Sequence, residues 1–405
     1  MNKMIRDVLL IPDEYTSALE QRLGFDLRPA SLATRIGKAY IAQKGEIVSQ
    51  INEGLTKQRP EFLASDYLRS REIREAYMLY YMTTNILKII PPLRELSYSG
   101  IFKQASPLRI LDLGTGTGAA IWGLLSYFLD EKKNIPLEIT LTDSLEENLS
   151  ETEKFSTFFI SRIGHIVPIL SFQKFDLRKP KEIPEKIKSS EPFHLITMMN
   201  VLNELDEAND SFLLESLMSL LDEQGTVIMI EPATRTQSRR LLRFRDLAIQ
   251  KGANVYSPCT RQAGCPALKK EDDWCHTEMK WKRPPFIKAI DDIVGTLRLS
   301  LKSTYMILRK DGLTISNAVD TEKNLYRVVS ERFDEKGRVR SFFCGENGRY
   351  EHVINKRDLS EFNGDFTEIE RYDLISLIGE EVREHDIRLP KEARLSIVLP
   401  NSGAR

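Results

Sequence analysis

The sequence contains no apolar run that approaches the length of about 20 residues needed to span a bilayer. It also lacks internal repeats and low-complexity segments. The segment 1–14 has too brief an apolar run and too many acidic residues for a secretory signal or an organelle transit peptide. These absences exclude a membrane-spanning or repeat architecture, and they predict a cytoplasmic location without a membrane partner.

Cysteine is scarce, with four residues in 405, and no two of them form a close C-x2-C pair. Such pairs are typical of four-cysteine zinc sites, and disulfides are not expected in a reducing compartment. Four thiolates at irregular spacing suit a cubane iron–sulfur cluster; zinc and unrelated thiols remain the alternatives. We therefore predict a metal site, with His276 as a neighbour of its ligands. The predicted ligands are Cys259, Cys265, Cys275 and Cys344.

The net charge is only −1, but the positive charge is concentrated in one part of the chain. Residues 235–310 carry 17 Lys and Arg against 7 Asp and Glu, an excess of +10, so the rest of the chain carries −11. A basic block in an acidic protein indicates a surface for a polyanion, with nucleic acid as the first candidate. A solvated helix face is the alternative. The predicted RNA contacts are Arg235, Arg239, Arg240, Arg243, Lys280, Lys282 and Arg283.

The stretch from Leu111 to Gly118 reads Leu-Asp-Leu-Gly-Thr-Gly-Thr-Gly and follows an apolar run. It predicts a buried strand, a glycine turn and the start of a helix, where backbone amides lie open to a ligand. The spacing is G-x-G-x-G, which differs from the dinucleotide fingerprint G-x-G-x-x-G. Asp112 lies within the strand. An ordinary strand-to-helix turn is the alternative interpretation.

Strands and helices alternate from about 106 to 252, the pattern of an α/β fold with a parallel sheet. Polar residues follow successive strands: Asp143, Asp176 and Asn200. Ligands bind at the carboxyl ends of strands in such sheets, and an acid after the second strand can accept hydrogen bonds from ribose hydroxyls. Each residue alone is equally well explained as a helix cap. Their recurrence predicts a nucleoside site.

We predict five segments. Residues 1–105 form a helical N-terminal cap, with Pro91 and Pro92 ending a helix over 72–90. Residues 106–252 form the Rossmann-like domain, 253–285 an irregular cysteine-rich insertion, and 286–319 return to the domain. Residues 320–405 form a small β module with hairpins at 334–337 and 345–348, and 391–405 form a loose tail.

Several stretches together resemble the methyltransferase-like small-ribosomal-subunit protein family, whose mitochondrial members act as assembly factors. The matching pieces are the glycine loop, Val201-Leu-Asn-Glu-Leu205, Ile230-Glu-Pro-Ala-Thr234, Arg243-Phe-Arg-Asp246, the cysteine insertion and Cys344-Gly345. Ala233 departs from the usual glycine. The resemblance implies a class I methyltransferase-like Rossmann domain that binds S-adenosylmethionine, a four-cysteine [4Fe-4S] cluster and a small-subunit partner of the 16S rRNA type. It also implies a mitochondrial matrix location for organelle-targeted relatives.

Under this resemblance, the pocket residues take specific roles. The glycines Gly114, Gly116 and Gly118 lie at the methionyl part; Asp143 holds the ribose, Asp176 the adenine amino group, and Asn200 lies beside the sulfonium end. Asp112 is a further cofactor-binding residue. The Asn/Asp-Pro-Pro-aromatic loop of many amino-methylating enzymes is absent after the fourth strand. Asn203 and Glu204 are the candidates there to orient or deprotonate a target, although both are also explained as backbone caps. We expect either a monomeric rRNA methyltransferase or a non-catalytic assembly factor.

Overall fold

The computed structural model describes residues 7–104, 106–187, 191–319, 324–384 and 386–401. The predicted segment boundaries at 105 and 320, and the ends 1–6 and 402–405 of the predicted N-terminal segment and tail, lie outside these residues. Among the described residues, no helix combines the length and apolar character needed to cross a bilayer.

The N-terminal part of the chain is helical, as predicted. Thr34 caps the longest helix by accepting a hydrogen bond from the Gly37 amide at 3.0 Å. A π-helical turn, Met78–Met82, follows the fifth helix. The helices are α1 Asp13–Leu23, α2 Pro29–Leu32, α3 Arg35–Lys57, α4 Arg59–Ala64, α5 Arg71–Tyr77, α6 Thr83–Asn85, α7 Ile90–Leu96 and α8 Ile101–Gln104.

The prediction that Pro91 and Pro92 end a helix was wrong in its position. The two prolines lie in the first turn of α7. A proline lacks the amide hydrogen that the first turn of a helix leaves unpaired, so it is compatible with a helix start. The prolines therefore begin the next helix.

A doubly wound sheet follows, with strands β1 to β5 parallel. Its order is β3-β2-β1-β4-β5-β8-β6, and β8 runs antiparallel to β5 and β6. The elements are β1 Leu108–Leu113, α9 Ala119–Asp130, β2 Leu137–Asp143, α10 Glu146–Ile163, β3 Ile169–Lys174, α11 Ile183–Lys186, β4 Phe193–Met199, α12 Asp210–Leu220, β5 Leu221–Pro232, α13 Arg235–Gln250, β6 Asn254–Ser257, β7 Thr277–Lys280, α14 Pro285–Val294, β8 Ser300–Arg309 and α15 Ile315–Ala318.

The cysteine-rich segment is less separate from this domain than predicted. Its two ends form β6 and β7, and both strands pair with β8 in the same sheet. These strands are only four residues long and contain polar residues. Their sequences therefore lack the regular alternation of apolar and polar residues that predicts a strand. The segment is therefore a loop between two strands of the Rossmann-like sheet.

The C-terminal part forms a second sheet, with both predicted hairpins present in β10–β11 and β11–β12. The predicted loose tail was wrong for its described part, because the last strand pairs with β13 and the Asn401 side chain bonds to Thr277 and Glu278. These contacts are distant in sequence. The strands are β9 Asn324–Val328, β10 Phe333–Asp334, β11 Arg338–Gly345, β12 Gly348–Asn355, β13 Leu374–Ile378, β14 Glu381–Val382, β15 Ile387–Arg388 and β16 Arg394–Leu399.

The helical region and the Rossmann-like sheet share one hydrophobic core. Ile110 of β1 and Ile121 of α9 pack in a cluster that also contains Val48 and Tyr80 from the helical region. The alternate β1 residue Leu111 packs on the opposite face of the sheet. Burial of each such side chain stabilises the fold by about 1.5–3 kcal/mol. The helical region is consequently packed against the face of the sheet that carries Ile110.

Candidate functional site

The glycine loop turns sharply between β1 and α9. Gly114, Gly116 and Gly118 have positive φ angles of 70°, 54° and 87°, which favour glycine. A Cβ atom on Gly114 or Gly118 would collide with Val201 or Trp122, whereas one on Gly116 would meet nothing within 4 Å. The side-chain position of Gly116 therefore opens onto free space.

That space is a pocket of about 560 Å³ at the carboxyl ends of the strands. It lies where the strand order reverses between β1 and β4, the position at which doubly wound sheets bind ligands. All of the predicted pocket and catalytic residues except Gly118 line it. They are Asp112, Gly114, Gly116, Asp143, Asp176, Asn200, Asn203 and Glu204.

Five residues that line this pocket each have a buried polar side-chain atom without a hydrogen-bond partner among the described residues. A buried polar atom without a partner is destabilising, so such a group in one place indicates a bound ligand or water. The backbone of Asn200 also has a positive φ of 62°, an uncommon conformation that clusters at functional sites. The five atoms are Asp112 Oδ2, Thr115 Oγ1, Thr117 Oγ1, Asn148 Oδ1 and Asn200 Oδ1.

Asp143 shapes the loop as well as lining the pocket. Its carboxylate accepts hydrogen bonds from the Gly116 amide at 2.8 Å, the Leu145 amide at 2.9 Å and the Asn148 side chain at 3.1 Å. Burial raises the pKa of Asp143 although these donors oppose the shift. The carboxylate thus holds the glycine loop in place. A ribose hydroxyl would have to bind to the lone pairs that these three donors leave free.

Asp176 lies at the rim of the pocket. Its carboxylate pairs with Arg178, with an Nε–Oδ1 distance of 2.8 Å, and the amide of the same residue donates to Oδ1 at 3.0 Å. This local turn explains the position of Asp176 without a ligand. Its predicted adenine contact stays a prediction.

The loop after β4 is held from two sides. Glu231, at the end of β5, accepts hydrogen bonds from the Leu202 amide at 2.8 Å and from the Asn203 side chain. On the other side, the Arg59 guanidinium donates to the Asn203 side-chain oxygen. Asn203 is therefore engaged at both ends, whereas the surface of Glu204 is open to the pocket.

The two carboxyl groups of this loop region have altered acidities. Glu204 is open to the pocket, but the pocket walls around it reduce its contact with bulk water. This loss of solvent raises its pKa to about 7, although the positive charge of Arg59 opposes the shift. Burial likewise raises the pKa of Glu231 to about 7, against the hydrogen bond from Asn203. A carboxyl group with a pKa near 7 is able to exchange a proton at neutral pH.

Sequence reasoning missed the residues that the helical region contributes. Arg59, Tyr67 and Tyr77 line the pocket opposite the glycine loop, and the Tyr67 ring stacks on Phe62 with centroids 4.4 Å apart. The aromatic spacing of this region is equally typical of core packing. No local signal in the sequence distinguishes a pocket wall from a core.

The four cysteines, which lie far apart in sequence, line a single cavity of about 40 Å³. The cavity lies between α13, β8 and the C-terminal sheet. Burial raises the pKa of the Cys344 thiol to about 12, and Cys259 and Cys275 add to this increase. The structure thus brings together all of the predicted ligands: Cys259, Cys265, Cys275 and Cys344.

Within the described residues, no three or more His, Cys, Asp or Glu side chains are arranged to hold a metal ion. The four cysteines therefore share a cavity, but among the described side chains they form no group that holds a metal ion, and the predicted metal site is not shown. His276 has a buried Nδ1 atom without a hydrogen-bond partner among the described residues, and it does not line the cavity.

The sequence profile described as mitochondrial small ribosomal subunit Rsm22 matches residues 71–366, well over half of the chain. The chain belongs to the Rsm22 family. The matched range includes the glycine loop, the loop after β4 and all four cysteines. Among curated proteins, none matches the sequence.

The Rsm22-family chain is also similar to solved methyltransferase structures. TehB from Haemophilus influenzae is 13% identical over 53% of this chain and 61% of its own, with a TM-score of 0.31. Magnesium protoporphyrin IX methyltransferase from Synechocystis, with bound SAM, is 12% identical over 61% of this chain and 94% of its own, with a TM-score of 0.34. The Rossmann-like fold is shown by the sheet order and the glycine loop of this chain itself.

The predicted RNA-binding residues of this Rsm22-family chain divide into two groups. Arg240 is buried and pairs with Asp210 at 2.5 Å, and Arg283 pairs with Asp291, which is fully buried, at 2.7 Å. The Arg239 guanidinium donates to backbone carbonyls of the cysteine segment. These three side chains are engaged within the protein. Exposed side chains belong to Arg235, Arg243, Lys280 and Lys282. Of these, Arg243 pairs with Glu207 at 2.5 Å and Lys280 with Glu370 at 2.6 Å on the surface.

Proposed function

We propose that this chain binds S-adenosylmethionine and transfers its methyl group to the small ribosomal subunit, with 16S-type rRNA as the substrate. The observation that carries the proposal is the group of unpartnered buried polar atoms on residues that line the pocket at the strand-order reversal. The family membership supports the link to the small subunit. The family description names a mitochondrial subunit, and the cytoplasmic location of this chain stays a prediction.

The charge of the pocket supports a cationic ligand over a dinucleotide. Its lining has two arginines, Arg59 and Arg178, and a larger number of carboxyl groups. S-adenosylmethionine carries a sulfonium and an ammonium group against one carboxylate, whereas a dinucleotide brings two phosphates that these acids would repel. The carboxyl groups are Asp66, Asp112, Asp143, Asp176, Glu204 and Asp206.

The ligand would supply an electrophilic methyl carbon, and the chain would position the target. In the transfer, the target nitrogen bonds to the methyl carbon as the sulfur–carbon bond breaks, and the nitrogen loses one proton. Glu204 is placed to accept that proton because its pKa is about 7 and its surface faces the pocket. Asn203 orients the loop through its bonds to Arg59 and Glu231.

The variant Glu204→Gln tests this assignment. We expect at least a hundredfold loss of methyl transfer to small subunits isolated from cells lacking the protein, measured with labelled S-adenosylmethionine. S-adenosylhomocysteine binding should change less than threefold, since the substitution keeps the shape of the side chain. The matched control, Glu53→Gln, replaces an exposed carboxyl that pairs with Lys57 outside the pocket and should retain full transfer. Full transfer by Glu204→Gln would contradict the assignment.

One observation favours a second candidate function, that of a non-catalytic assembly factor. The oxygen of the Asn203 side-chain amide accepts a hydrogen bond from Arg59, and its nitrogen donates one to Glu231. Both polar atoms are therefore already engaged within the protein and are not free to orient a target. If the wild-type chain binds ligand and small subunits but transfers no methyl group, this second function replaces the first.

The affinity for S-adenosylmethionine should depend on pH through Asp112. Burial raises the pKa of this carboxyl group to about 6, while the hydroxyl of Thr197 donates to Oδ1 at 2.6 Å. The group is neutral below that pH and ionised above it. Since a cationic ligand stabilises the ionised form, calorimetry should give an affinity that rises about tenfold between pH 5 and 7. The variant Asp112→Asn should remove the rise, and an unchanged rise would count against this contact.

The same carboxyl group affects folding with the opposite trend. Its pKa in the folded chain exceeds the ordinary value of about 3.9. Its contribution to stability is therefore complete below about pH 4 and is lost as the pH rises through about 6. Ligand affinity and intrinsic stability change in opposite directions over this range.

The proposal includes a [4Fe-4S] cluster held by the four cysteines. It is supported by the cavity that all four cysteines line. Such a cluster would join the loop between β6 and β7 to β11 of the C-terminal sheet. Anaerobic purification should give about four irons and four sulfides per chain, both lost in Cys344→Ser. Stoichiometric zinc without sulfide would contradict the cluster.

A basic surface for rRNA is supported by the exposed members of the predicted set, Arg235, Arg243, Lys280 and Lys282. The members engaged within the protein, Arg239, Arg240 and Arg283, would instead support this surface by fixing its backbone. Affinity for small-subunit RNA should fall steeply with salt if the exposed group neutralises phosphates.

A further inference from the structure

Two polar side chains contact cysteine sulfur atoms in the four-cysteine cavity. The Arg245 Nε atom, on α13, lies 3.3 Å from the Cys259 sulfur. The Tyr372 hydroxyl, just before β13, lies 3.2 Å from the Cys275 sulfur. Tyr372 also lies beyond residue 366, the end of the Rsm22 match. The family resemblance therefore gives no reason to expect it here.

Arg245 has a structural task besides its sulfur contact. It is 2% exposed, and its guanidinium donates to the backbone carbonyls of Arg261 at 2.7 Å and Ala263 at 2.9 Å. The neighbouring Asp246 accepts from the Cys265 amide at 2.9 Å. These bonds hold the loop that carries the first two cysteines, so replacing Arg245 would change the loop as well as the sulfur contact.

Tyr372 is suited to a more specific task. The residue is 1% exposed; its amide donates to the Val328 carbonyl at 2.7 Å, and its carbonyl accepts from Arg327 at 2.8 Å. Its φ angle is +71°, a conformation that a tyrosine keeps only when its surroundings impose it. The backbone bonds fix the position of the ring, while the hydroxyl contacts the sulfur.

We propose that Tyr372 is a positioning residue that donates a hydrogen bond to the Cys275 sulfur and raises the reduction potential of the bound cluster. This inference rests on the proposed cluster. A thiolate ligand has no proton to donate, so the tyrosine hydroxyl is the donor. One-electron reduction adds negative charge that the ligand sulfurs share, and a hydrogen bond to sulfur stabilises the reduced form more than the oxidised form.

The test is a redox titration of the full-length Tyr372→Phe variant, purified without oxygen. Dithionite supplies one electron per cluster, and absorption and electron paramagnetic resonance follow the reduction. We expect unchanged iron and sulfide contents and a tenfold smaller equilibrium constant for reduction, equal to a midpoint potential about 59 mV more negative. The matched control is Tyr305→Phe: this ring lines the same cavity, and its hydroxyl lies beside Glu95 and Ser257. The control should keep the wild-type potential.

Three results would overturn the inference while leaving the cluster in place in the wild type. They are an unchanged potential in Tyr372→Phe, an equal shift in Tyr305→Phe, and loss of iron from Tyr372→Phe alone, which would make the residue structural. A wild-type chain without iron and sulfide would instead refute the proposed cluster itself, and this inference would fall with it.

Discussion

Replacement of Gly116 by valine is expected to lower the affinity for S-adenosylhomocysteine at least a hundredfold. Gly116 is the loop glycine whose Cβ position meets no protein atom, and it opens onto the pocket. A valine there would occupy the space proposed for the methionyl part of the ligand. Calorimetric titration of the purified chain measures the loss directly.

The control must separate blockage from backbone strain, because Gly116 has a φ of +54°. Gly252, after α13, has a φ of +87°, and a Cβ atom there also meets nothing within 4 Å, but it is not part of the pocket lining. The control is therefore Gly252→Val. Both Gly116→Val and Gly252→Val should destabilise the chain by about 1–2 kcal/mol because each places a side chain at a positive φ. Only Gly116→Val should weaken binding; similar affinities for the two variants would show that no ligand lies against this loop.

The second large effect concerns stability. Glu95 of α7 and Arg327 of β9 form a buried ion pair at 2.7 Å, with side-chain exposures of 9% and 3%. Arg327 also donates to the Pro258 carbonyl at 2.9 Å, and Ser257 donates to Glu95. The pair therefore joins the helical region, the Rossmann-like sheet and the C-terminal sheet at one point.

Glu95→Ala should lower the free energy of unfolding by about 3–5 kcal/mol, because it leaves the Arg327 charge buried without its partner. Denaturant unfolding measures this change. The control is Glu53→Ala, which removes an ion pair with Lys57 on the surface, where the Glu53 and Lys57 side chains are 57% and 73% exposed. It should change the free energy of unfolding by less than about 1 kcal/mol. Similar losses in the two variants would contradict the proposed importance of burial.

The sequence predicted the parts of the fold that local patterns determine. The apolar run before Gly114 and the glycine spacing were enough to place β1, its turn and α9. Alternation of strands and helices then predicted a parallel sheet. Each of these inferences uses residues that are neighbours along the chain, where side-chain period and turn chemistry are readable.

The sequence did not predict features that depend on distant contacts. The last strand, β16, forms because it pairs with β13, and short β6 and β7 form because β8 lies beside them. Similarly, Arg59 reaches the loop after β4, and Tyr372 reaches Cys275. Contacts between residues far apart in sequence determine these placements. The spacing of apolar residues within a short stretch of sequence does not predict them.

Arg59 and Tyr372 show that each site includes residues from outside the part of the chain that matches the family. Both lie outside the range 71–366 that matches the Rsm22 profile. Arg59 nevertheless forms part of the pocket wall, and Tyr372 forms part of the cysteine cavity. A fragment limited to the matched range should therefore lack one wall of the pocket and the tyrosine contact in the cysteine cavity.

The most direct test of the account is a calorimetric titration of the purified full-length chain with S-adenosylhomocysteine, with NAD as the comparison ligand. We expect one S-adenosylhomocysteine to bind per chain and NAD to bind at least a hundredfold more weakly, because the acidic lining would repel the two phosphates of NAD, whereas S-adenosylhomocysteine has no net charge. Absence of S-adenosylhomocysteine binding, or equal affinity for the two ligands, would contradict the central claim.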